Sequence, residues 1–194
     1  MNQRLLLLTI VALIVIGFSR TSAQNTAKDT PAIKGFRGEF LAQLVDDEKK
    51  LVDLAEAIPL EKYPWRPAEG VRSISEVYVH IAGANYMFPT MMGVKAPENM
   101  ERDAEKNITD KKKIVEFLKQ SFAYVRQVAT KTADADLEKP AKYFGEETTV
   151  RGILFHLATH MHEHLGQSIA YARMNGVVPP WTAAEMKQQQ DSKK

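Results

Sequence analysis

FHLATHMHEHLGQ, residues 155–167, carries four of the chain's five histidines: His156, His160, His162 and His164. In a helix each residue turns by about 100°, so positions four apart stack one turn above another. His156, His160 and His164 then form one vertical row, and His162 lies about 200° from His160, on nearly the opposite face. Cβ atoms at that row spacing are roughly 5–6 Å apart. Two imidazoles of the row can therefore share one cation at bonds of about 2.0–2.1 Å. Apolar Leu157, Met161 and Leu165 interleave with them. Burying several imidazoles beside such a stripe costs desolvation and leaves nitrogens in need of partners. One divalent cation satisfies two or three of them together, whereas the bland alternative is a histidine cluster facing solvent.

Working outward, the stripe Val150, Leu154, Leu157, Met161, Leu165, Ser168 and Ala172 predicts a helix from about Thr149 to Asn175. Gly176 follows as a cap, and Pro179-Pro180 prevents continuation. Upstream, residues 131–148 read as a charged connection. Ile114, Phe117, Leu118, Phe122, Val125 and Val128 predict a helix beginning near Thr109-Asp110, after a loop over residues 94–109. Ser73-Ile-Ser-Glu76 reads as a capping box opening a helix whose apolar face holds Ile74, Val77, Ile81, Ala84 and Phe88. His80, the fifth histidine, lies on the flank of that face. The first helix has Phe36, Phe40, Leu41, Leu44, Leu51 and Leu54 at helical spacing and stops at Pro59. No segment shows convincing alternation of the strand kind. Four helices predict an all-α fold, a four-helix bundle over residues 36–182, with a polar tail at 183–194. Sites in bundles are built from side chains on facing helices, which makes His80 a natural partner for the histidine row.

Residues 1–23 combine Arg4, an apolar run from Leu5 to Phe18, and Thr21-Ser22-Ala23. A basic start, an apolar middle and small residues at the end predict a cleavable signal peptide, and hence a periplasmic or secreted protein. The run is shorter than the roughly 20 residues of a membrane span, so no stable span is expected after cleavage; the alternative is an uncleaved anchor. Residues 24–35 read as a flexible leader. Cleavage would take Arg4 and Arg20 from 26 basic side chains and bring them into balance with the 24 acidic ones. A neutral surface offers no electrostatic case for nucleic acid. With no cysteine, the chain can form no disulfide and supplies no thiolate nucleophile. The H-E-x-x-H zinc-protease pattern is absent, because His162-Glu163 leads to Gly166 where a ligand is required.

Two segments carry a family resemblance: LAEAIPLEKYPWRPAEGVRSISEVYVHIAGANY at 54–86 and HLATHMHEHLGQSIAYARMNGVVPP at 156–180. They resemble the DinB/YfiT-like superfamily, most specifically in the run Trp65–Ser73 and in H-x-x-x-H-x-G-Q. That resemblance implies a four-helix bundle with a divalent metal held by three histidines, here His80, His160 and His164, and the preference of imidazole donors makes zinc or nickel the expected ion. His156 falls outside the triad. The usual H-H-R-G-Q wording becomes H-E-H-L-G-Q, with Leu165 in place of arginine, a departure that touches substrate contacts and leaves ligand spacing intact. Similar proteins include thiol-dependent S-transferases and a thiol-dependent isomerase, and they often pair as homodimers. An exported chain meets an oxidising compartment, which favours a metal-dependent hydrolase of an unknown small-molecule substrate over thiol transfer. The alternative is a non-catalytic, metal-binding or stress-related bundle.

Overall fold

A computed structural model describes residues 33–98, 100 and 103–193. The expected signal peptide and the leader up to residue 32 lie outside the described residues. The elements, in chain order, are α1 (Gly35–Ala57), α2 (Ile74–Met91), α3 (Ala104–Asn107), α4 (Lys111–Lys131), β1 (Pro140–Tyr143), β2 (Glu146–Thr149), α5 (Val150–Met174) and α6 (Pro180–Asp191).

The long helices start where local chemistry makes them start. The Ser73 hydroxyl accepts from the Glu76 amide at 3.3 Å, and the Glu76 carboxylate accepts from the Ser73 amide at 2.7 Å, which completes the expected capping box of α2. Asp110 accepts from the Lys113 amide at 3.0 Å to open α4, and Thr149 accepts from the Gly152 amide at 3.1 Å to open α5. At the far end of α5, Gly176 takes φ +76°, the left-handed conformation a helix terminator uses.

α1 packs on α4 and α5, and α2 packs on the same two helices. The ring order is therefore α1–α4–α2–α5, with α1 diagonal to α2 and α4 diagonal to α5. The core between them is apolar: Leu44, Leu51, Leu54, Ile81, Ile114, Leu118, Phe122, Ile153, Leu157 and Met161 are all fully buried. This order places α2 beside α5, so His80 faces the histidine row.

Two expectations need correction. The connection 131–148 contains an antiparallel hairpin, β1 against β2, with Tyr143 opposite Glu146. Its two-residue turn is Phe144-Gly145, both with positive φ, +49° and +99°. That is the turn twist a tight hairpin needs. Each strand is four residues long, too short for its alternation to stand out in the sequence. The segment expected as a polar tail is helical through Asp191, as the last three-quarters of α6, with Pro180 at its first turn. Proline suits that position because its missing N–H has no intrahelical acceptor to satisfy. α6 fully buries none of its residues, so the polar reading of its composition stands.

Candidate metal centre

His80 sits two turns into α2, and His160 and His164 lie one turn apart on α5. One nitrogen from each falls within 4.8 Å of the other two, a set that could hold one ion. The Nε2 atoms of His80 and His160 are 3.2 Å apart. All three residues are partly buried.

Two of the rings are oriented from behind. His80 Nδ1–H donates to Glu105 Oε1 at 3.1 Å, and Glu105 Oε2 accepts from Arg72 Nε at 3.2 Å. His164 Nδ1–H donates to Gln167 Oε1 at 2.7 Å, while Gln167 Nε2 donates onward to the Tyr171 hydroxyl at 3.0 Å. With Nδ1 protonated in both rings, each Nε2 keeps a lone pair directed at the common centre. Side chains that fix the tautomer in this way are the usual companions of metal-bound histidines. The third ring, His160, has a buried Nδ1 without a partner.

Electrostatics disfavour charge on two of the three rings. Burial, then the neighbouring His164, His80 and Arg72, push His160 down to about 3. Burial, Arg72 and His164 lower His80 as well, against the opposing pull of Glu105. Neutral imidazole is the form that offers a lone pair to a cation. Three clustered rings, two of them with protonation disfavoured, fit a divalent ion.

The remaining histidines are placed elsewhere. His156 stacks flat on Tyr143, with centroids 4.0 Å apart and planes 2° apart, and so braces the hairpin. His162, exposed on the other face of α5, donates through Nδ1 to Asp47 Oδ1 of α1 at 3.1 Å. Asp47 is fully buried and also accepts from Gln43 at 3.1 Å; burial raises its carboxyl above the usual range. Glu163 is exposed and makes no part of the centre. Glu105 carries no local sequence signal, because it lies on the one-turn α3 inside a segment that reads as loop. Gln167, by contrast, is one turn from His164 and legible as its companion.

A cavity of about 520 Å³ opens against His80 and His160. Gly83, Met87 and Phe88 of α2 and the hairpin residues Tyr143 and Phe144 wall it.

A helical bundle with three inward histidines on facing helices and an adjoining apolar cavity is the class this geometry defines. The chain matches the DinB family over residues 24–193 and belongs to it. It is 24% identical over 125 residues to the uncharacterized protein YjoA of Bacillus subtilis strain 168, covering 64% of this chain and 80% of that one. A DinB-like protein of Bacillus cereus ATCC 10987 shares its fold with a TM-score of 0.65 at 20% identity, over 73% of this chain and 93% of the other. YfiT of B. subtilis, described as a probable metal-dependent hydrolase with an unusual four-helix bundle topology, superposes with a TM-score of 0.58 at 15% identity. That match covers 77% of this chain and 94% of YfiT. At these identities the structural likeness speaks for the fold.

Proposed function

We propose that this chain is a divalent-metal-dependent hydrolase, with His80, His160 and His164 as the ligands. The carrying observation is the convergence of three imidazole nitrogens within 4.8 Å, two of them oriented from behind by Glu105 and Gln167. Three neutral ligands leave a position open to water or substrate, as in catalytic zinc sites. A bound ion would supply Lewis-acid chemistry there, activating water or polarising a carbonyl. The chain's own residues hold His80 and His164 in one tautomer, disfavour charge on His80 and His160, and present an apolar cavity beside them. The description of YfiT as a probable metal-dependent hydrolase supports the same reading. Imidazole donors favour zinc or nickel. Export rests on the three-part pattern of residues 1–23, and a homodimer on the family resemblance alone.

A second reading has its own observation. Glu105, a carboxylate at the cavity wall, is engaged by His80 and Arg72 and so is not a free general base. An ion that only tied α2 to α5 would make a stable, non-catalytic bundle. Elemental analysis of untagged protein, followed by ester and amide turnover with the ion removed and restored, separates the two. Hydrolysis is expected to vanish with chelation and return with zinc or nickel. Saturable metal binding that raises stability without turnover establishes the second reading, and no binding at all defeats both.

A further inference from the structure

Two residues of the cavity wall go against local backbone preference. Gly83 lies in the middle of α2, where glycine weakens a helix relative to alanine. No neighbour crowds it: a Cβ built there meets nothing within 4 Å. Its packing role is therefore absent, and what its missing side chain does is widen the cavity. Phe144 holds φ +49° in the hairpin turn, a conformation that suits Asn, Asp or Gly and strains a bulky residue. The residue is 66% exposed, so burial does not hold it there either. Departures from local preference that concentrate in one wall point to a ligand.

The wall's chemistry says which ligand. Phe88, Tyr143 and Phe144 stand edge to face at centroid separations of 5.5, 6.4 and 4.8 Å, an arrangement that continues onto another ring. Met87 adds a polarisable thioether, which packs well against aromatic edges. The rim charges are matched among themselves: Asp103 with Lys106 at 3.7 Å, and Glu105 with Arg72 and His80. Among the described residues of the rim, a charged ligand group would find no unmatched partner. His156, stacked on Tyr143, holds the hairpin against α5 and so sets where Phe144 stands.

We propose that this cavity binds an uncharged aromatic group of the substrate, with Gly83 supplying its depth and Phe144 selecting its shape. The proposal deepens the hydrolase reading and rests on it for which bond lies at the ion, while the cavity itself stands on the wall residues. The test uses the full chain and two variants chosen to fold well. Gly83→Leu fills the cavity and improves helix propensity; Phe144→Asn removes the ring and relaxes the turn. Zinc, then 2-naphthol, then its saturated counterpart decahydro-2-naphthol are titrated by calorimetry into metal-free and zinc-loaded protein.

2-Naphthol is expected to saturate the wild type in both forms, ~3–10-fold more tightly than the saturated alcohol. Gly83→Leu is expected to weaken it at least about tenfold and Phe144→Asn about 3–10-fold, with zinc affinity held within about twofold in both. Failure to saturate, equal affinity for the saturated alcohol, or binding that neither variant changes overturns the proposal. Loss of zinc binding by the wild type with 2-naphthol binding intact sinks the metal reading and leaves the aromatic site standing.

Discussion

His80 and His164 illustrate how one side chain can be aimed by another. Each gives its Nδ1 proton to an oxygen, Glu105 or Gln167, and so turns Nε2 toward the shared centre. His162 uses the same donor atom for a different purpose, on the buried Asp47 of α1. These geometries separate the five histidines by position. Alanine at His80, His160 or His164 is expected to lower zinc affinity more than 100-fold, above the roughly 10–100-fold range of a residue that only orients a ligand. Gln167→Ala should fall inside that range. His156→Ala should leave zinc affinity near wild type. His162→Ala should also leave it unchanged while costing about 1–3 kcal/mol of stability, because Asp47 loses a partner in the interior. Metal titration and urea denaturation of the same variants check both halves. Abolition of binding by His156→Ala with His164→Ala unaffected would reverse the ligand assignment.

α2 is the element that brings the centre's ligand from one side and the cavity floor from the other. Its first turn is held by the Ser73–Glu76 box, and Glu76 also accepts from Arg66 at 3.0 Å. Ser73 is buried, so water cannot replace the lost cap. Ser73→Ala should cost about 1 kcal/mol in urea denaturation, with zinc affinity changed less than by any ligand substitution, since His80 lies two turns further on. A cost near zero would mean the box is not what starts the helix. The four long helices were legible because their apolar stripes repeat over 18 residues or more. The hairpin and α6 were not. A four-residue strand offers two side chains per face, and α6 has no fully buried stripe for periodicity to report.

At the scale of the whole molecule, pH reaches the fold through groups that burial has displaced. His160 titrates at about 3 in the folded state, well below an ordinary histidine. Between the two values the unfolded chain binds a proton that the folded chain does not, so stability falls as the pH is lowered through that window. Asp47, whose carboxyl is raised by burial, acts in the opposite sense and favours the fold in acid. The metal-free protein is expected to lose up to about 3 kcal/mol from His160 between pH 7 and pH 4. Urea denaturation across that range should show the slope in the wild type and a shallower one in His160→Gln. Identical slopes would remove His160 as the cause. Among the described residues no helix is long and apolar enough to cross a membrane.

The sequence by itself determined the four long helices, the capping box of α2, the row of histidines on one face of α5 and the exclusion of His162 from that row. These follow from a 100° turn per residue and from hydrogen bonds made within a few residues, both of which are local. Spacing alone left His156 and His164 as equal partners for His160. Tertiary structure decided between them in position: the ring order α1–α4–α2–α5 sets His80 beside His160 and His164, while the hairpin claims His156. Glu105 behind His80, Asp47 beneath His162 and the wall formed by Gly83 and Phe144 likewise belong to the fold alone. Each joins residues separated by 25 to 115 positions or by a whole element, and no local periodicity encodes which helix will face which.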